Sequence, residues 1–103
     1  MATYHVLYRR DPNFRFDPNL TVDNIGKTHV LLKFVEAKDL EDLFFIMQGE
    51  NWSSGEGQAE AQALIRRKGL SHTSMSVGDA AYCREEHKLY QVDFCGWKEV
   101  PRS

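Results

Sequence analysis

From Thr28 to Met47 the chain changes its hydrophobic period once, at Asp39. In THVLLKFVEA (28–37) apolar residues alternate, with Val30, Leu32 and Phe34 expected on one face and Leu31 and Val35 making the other partly apolar. That is the period of a strand, and two partly apolar faces place it in the middle of a sheet. Beyond Asp39, Leu40, Leu43, Phe44 and Met47 recur at i, i+3, i+4 and i+7, the stripe of a helix that must pack on something apolar. Asp39 itself is placed to cap that helix, because its short carboxylate can accept from a first-turn N–H. A strand that feeds directly into such a helix confines the chain to a sheet with helices laid against it.

The rest of the chain fits that frame. TYHVLY (3–8) predicts the first strand, with Tyr4, Val6 and Tyr8 on one face. RRDPNFRFDPNLTVDNIGK repeats Asp-Pro-Asn and predicts a long ordered loop, since Pro fixes φ and Asp or Asn bonds back to the chain. QGENWSSGEGQ breaks the pattern with glycines. A second helix over 57–68 turns Ala61, Leu64 and Ile65 to the core, collects Arg66, Arg67 and Lys68 at its carboxyl end, and stops at Gly69. Residues 80–84 and 88–95 predict a hairpin around EEHK in which Tyr90, Val92 and Phe94 alternate with Gln91 and Asp93. Gly96 and Trp97 end it or begin a short last strand to Val100. The expected fold class is α+β: a mostly antiparallel sheet of four or five strands with two helices on one face, in the order ββααββ(β). With 103 residues, one domain spanning 1–103 is expected.

Charge and composition remove whole classes of function. Thirteen basic against fifteen acidic residues give a net charge of −2, so no global field draws the chain to nucleic acid or to an anionic membrane. No run approaches a membrane span and the N-terminus lacks an apolar leader, so a cytoplasmic protein without membrane contact is expected. Cys83 and Cys95 lack the spacing of a redox or zinc pair and are expected as free thiols. His5, His29, His72 and His87, with Glu85, Glu86 and Asp93, show no metal-ligand spacing, and neither metal nor cofactor is expected.

Three segments carry chemistry. HTSMSVGD (72–79) crowds His72, Thr73, Ser74, Ser76 and Asp79 together. A serine nucleophile needs a base within reach and a third group to orient it. The bland alternative is an irregular strand entry in which the hydroxyls bond exposed backbone, Val77 points inward and Gly78-Asp79 makes the turn. That structural role is the expectation. RRDPNFRF interleaves Arg9, Arg10 and Arg15 with Phe14 and Phe16, a mixture suited to phosphates and stacked bases, or to a protein surface. Trp52, in a Gly-rich stretch between two helices, is either an interface anchor or a lid on the core.

The run MQGENWSSGEGQAEAQALIRRKGLSHTSMSVGD and the strand pair after it carry Ser74, Ser76, Val77, Gly78, Asp79, Tyr90, Asp93, Gly96 and Trp97 in a familiar arrangement. Over residues 47–98 it resembles the YodL-like domains and similar small uncharacterised proteins of phages, plasmids and integrated elements. The SSGEGQAEA segment departs from that pattern by its length. The resemblance brings no catalytic residues and implies an accessory or host-interfering protein.

A non-enzymatic protein is therefore expected, one that binds and modulates a host or phage protein complex, with an anti-CRISPR-type inhibitor as the concrete form. The expected contact residues are Arg9, Arg10, Arg15 and Trp52, backed by Arg66 and Arg67. Second stands a nucleic-acid-binding module built on the 9–16 loop. Third is a small hydrolase built on His72, on Ser74 or Ser76, and on Asp79.

Overall fold

The computed structural model describes residues 1–11 and 20–102. Its strands are β1 (Ala2–Arg9), β2 (His29–Ala37), β3 (Ala80–Cys83), β4 (Lys88–Asp93) and β5 (Gly96–Val100). Between β2 and β3 lie the helices α1 (Leu40–Ile46), α2 (Gly49–Trp52) and α3 (Gln58–Arg67). The five strands form one sheet in the spatial order β2-β1-β3-β4-β5, every pair antiparallel. This is the α+β class that the sequence predicts, with the last strand formed and a one-turn helix, α2, added inside the Gly-rich stretch.

Local chemistry sets the boundaries. Asp39 caps α1, accepting the Asp42 N–H at 2.8 Å, while the Asp42 carboxylate reaches back to the Lys38 N–H at 2.9 Å. One first-turn donor and the N–H just before the cap are thus satisfied by the two carboxylates, which fixes where the strand period gives way to the helical one. At the far end of α3, Gly69 takes φ +72° and Leu70 donates its N–H to the Ile65 carbonyl at 3.0 Å. The Gly69 N–H goes to Arg66 O at 3.1 Å. This left-handed cap delivers the buried Leu70 to the core and starts the segment that leads to β3.

The helices cover one face of the sheet. Leu43, Met47 and Ile65 pack there with Tyr4, Val6, Tyr8, Leu32 and Cys83. On the opposite face a smaller cluster forms where Leu20, Val22 and Ile25 meet Ala80, Leu89 and Val100. That second cover explains why Gln91, on the polar side of β4 in the sequence pattern, is buried: its amide donates to the Gly78 carbonyl at 3.1 Å.

Three expectations are corrected. β2, expected in the middle of the sheet, is its edge strand, because its second apolar face carries exposed Leu31 and Phe34 and is not covered from both sides. Val30, Leu32 and Phe34 do not share a face. The register of β2 against β1 slips between Val6 and Leu7, pairing Val6 with Lys33 but Leu7 with Leu31, so Leu32 is an extra residue in a bulge. Leu32 stays in the core, whereas Phe34 pairs with His5 and, with Leu31, is turned to the other face, 56% exposed. Phe94 is also not inward: β4 ends at Asp93, and Phe94 sits 69% exposed in the turn to β5, its N–H bonded to Asp93 Oδ1 at 2.6 Å.

Candidate functional site

The segment 70–79 crosses the end of the sheet without regular structure, and one carboxylate is the centre of its bonds. Asp79 is fully buried. Its Oδ1 accepts the backbone N–H of Arg9 at 2.9 Å, and its Oδ2 accepts the N–H of Ser76 at 2.9 Å and lies 2.9 Å from His72 Nε2. Arg9, only 6% exposed as a residue, holds its guanidinium 3.5 Å from Oδ1 and also donates to Ser76 Oγ at 3.1 Å. A buried carboxylate is tolerable only with such partners, because desolvation would otherwise cost several kcal/mol. Asp79 thereby clamps the end of β1 to the loop that enters β3.

Around this clasp the aromatic groups close the structure. The His72 ring stacks on Tyr8, with centroids 4.6 Å apart and planes 11° from parallel. The Tyr8 hydroxyl donates to the Thr73 carbonyl at 2.7 Å, and the Trp52 indole N–H donates to the same carbonyl at 2.9 Å. Burial, followed by the negative Asp79, pushes the Tyr8 phenol far above its ordinary pKa, so it acts as a donor throughout. On the other side, His29 Nε2 lies 2.7 Å from the Gly78 carbonyl and Nδ1 lies 2.7 Å from Thr28 Oγ1. Since a carbonyl only accepts, the proton is on Nε2. Burial lowers the His29 pKa, against the contribution of the Gly78 carbonyl.

The eight residues therefore behave as a tied strand entry. Ser74 Oγ accepts the Gly49 N–H at 2.8 Å, and Ser76 Oγ meets Arg9 and Asp79. His72 is oriented by Asp79 through Nε2, and among the described residues no hydroxyl bonds to its ring. The residues a nucleophile would need have been gathered, yet around the carboxylate. Beside them, α3 and residues 70–76 enclose an open cleft of about 610 Å³.

The expected contact residues are dispersed. Arg9 is buried in the clasp, where it braces the fold in place of presenting a surface. Arg10 is exposed, and Arg66 and Arg67 are exposed on the last turn of α3. Trp52 is half-buried against the core, with the Lys33 ammonium 5.1 Å from its ring centre, so it acts as a lid. Arg15, with Phe14 and Phe16, lies outside the described residues.

Sequence patterning missed a different surface. Phe34 stands beside His5, ring centroids 4.6 Å apart, and His5 lies 5.4 Å from Tyr82. The Arg84 guanidinium is 5.6 Å from the Phe34 ring. Burial, then Arg84, lowers the His5 pKa. No signal in the sequence announces this patch, because it depends on the bulge. Among the described residues no group of three His, Cys, Asp or Glu is arranged to hold a metal ion, and no helix is long and apolar enough to cross a membrane. The two cysteines are free, Cys83 buried and Cys95 exposed.

These features define a small α+β scaffold with a rigid clasp, an exposed aromatic strand face and a polar cleft. No family model, curated protein or solved structure matches the chain.

Proposed function

We propose that the protein acts by binding another protein, through addition of a strand at the outer edge of β2, and not by catalysis. The observation that carries this reading is the placement of Leu31 and Phe34. The bulge turns both to the exposed face of a nine-residue strand that has no partner along its outer edge among the described residues. An extended apolar segment of a partner would find there a row of backbone donors and acceptors for affinity, and two side-chain anchors for specificity. A carboxylate on that segment would meet Arg84 next to Phe34. The other edge is less suited: β5 has five residues, carries exposed Lys98 and Glu99, and is followed by Pro101, features that discourage pairing.

Engagement of Ser74 and Ser76 in the clasp supports binding over nucleophilic chemistry. In the setting that the YodL-like resemblance implies, the partner is a host or phage protein complex, and the narrow form of the proposal is a mobile-element inhibitor of the anti-CRISPR type. The second reading, nucleic-acid binding, keeps Arg10 and Arg15 from its original patch. It predicts affinity that falls steeply with salt, since each neutralised phosphate releases counterions.

The test is a pull-down with the wild-type chain, Leu31→Ser/Phe34→Ser and Arg10→Gln, each with and without nuclease and at two salt concentrations. A nuclease-resistant partner, retained by Arg10→Gln and lost by the double variant, is the expected result. Retention by the double variant overturns the strand-addition proposal, and loss of all captured material on nuclease treatment transfers the function to nucleic acid.

A further inference from the structure

A second surface of the molecule has different chemistry from the strand edge and is independent of it. The cleft of about 610 Å³ between α3 and the clasp falls within the size range of small-molecule sites. Ser71, Thr73, Ser74 and Ser76 line it from the loop, and Gln62 and Arg66 line it from the helix. His72 contributes the partly exposed edge of a ring that Asp79 and Tyr8 hold in place. Among the described residues no acidic side chain lines this cleft. The one carboxylate behind its wall, Asp79, is already matched by Arg9 and two backbone N–H groups.

The Ser74 hydroxyl is also arranged to donate. Ser74 Oγ accepts the Gly49 N–H, which leaves its own hydrogen to point elsewhere. A Cβ built on Gly49 would lie 2.9 Å from Ser74 Oγ, 3.1 Å from Thr73 Oγ1 and 3.2 Å from Ser53 Oγ. The absence of a side chain at Gly49 is therefore what lets three hydroxyls converge at the base of the loop. A guanidinium with several hydroxyl donors and no competing carboxylate favours a ligand with multiple acceptor oxygens and negative charge.

We propose that this cleft binds the phosphoryl group of a small phosphorylated molecule, with Arg66 as the charged contact and the Thr73 and Ser74 hydroxyls as further donors. The test is a titration of the isotope-labelled full chain by NMR with four probes: inorganic phosphate, ribose 5-phosphate, unphosphorylated ribose, and sodium chloride at matched ionic strength. Saturable shifts at the amides of residues 71–76 and at the Arg66 side chain are expected with the two phosphates, tighter for ribose 5-phosphate. Arg66→Gln is expected to weaken them about tenfold, the loss of one charge-assisted hydrogen bond. Lys27→Gln removes the same charge from an exposed position that does not line the cleft and is expected to leave the titration unchanged. The proposal is overturned if phosphate produces no saturable shift, if ribose or sodium chloride reproduces the shifts, or if Arg66→Gln binds as the wild type does.

Discussion

At the scale of single residues, Asp79 is the most consequential side chain. It ties two backbone N–H groups, a guanidinium and an imidazole into one buried point. Asp79→Asn keeps the shape but leaves the Arg9 guanidinium with a neutral neighbour in a buried setting. Loss of one partner of such a pair is expected to lower stability by about 3 kcal/mol, measurable as a fall in the urea midpoint. His29 adds a pH dependence. Its pKa in the fold lies below the unfolded value of 6.5, so the unfolded chain takes up the proton first as pH falls. The stability held above that value is then lost from about pH 6.5 downward until the folded imidazole also protonates. Urea unfolding at pH 7 and pH 5 should show the loss, and His29→Gln should reduce it. If the variant and the wild type keep identical pH slopes, His29 is not the responsible group.

At the scale of elements, the sharpest test is Gly49 at the start of α2. By helix propensity alone, Gly49→Ala should stabilise. The added Cβ, however, would crowd Ser74 Oγ at 2.9 Å and disturb its bond to the Gly49 N–H. A net destabilisation of about 1 kcal/mol is expected, of the size of one hydrogen bond with local strain. The double variant Gly49→Ala/Ser74→Gly should recover part of it, which a thermal melt of the three proteins would reveal. The elements also show where the sequence was legible. Asp39, Gly69 and the alternation of β1 act through neighbours a few residues away, so capping and period place α1, the end of α3 and the strands. The β2 bulge acts through a pairing between strands and leaves no trace in the local pattern. For that reason Phe34 was expected on the face of Val30 and Leu32 and stands exposed on the opposite one.

At the scale of the whole molecule, the surfaces and the core can be separated by mutation. Leu31 and Phe34 are exposed, and their replacement by serine is expected to change stability by less than about 1 kcal/mol while abolishing strand addition. Denaturation and pull-down of the same double variant check the two halves of that statement. If the wild-type chain sediments as a dimer and the double variant as a monomer, the edge is occupied by a second copy and the proposed partner is displaced from it. Trp52→Phe, by contrast, breaks the indole bond to Thr73 at the heart of the clasp. It should cost about 1 kcal/mol of stability and leave the β2 surface unchanged.

Local pattern was enough for the α+β class and most element boundaries, because these follow from interactions between residues close along the chain, whereas the bonds that tie HTSMSVGD run to Tyr8, Arg9 and Gly49. Only the tertiary structure decided that Arg9 is buried with Asp79, that Trp52 is a lid, and that Leu31 and Phe34 form an exposed face. Each of those outcomes depends on groups brought together across the sheet: Asp79 lies 70 positions from Arg9. Burial of a charge and the choice of a strand's outward face are set by what packs opposite, and one bulge suffices to exchange inside for outside.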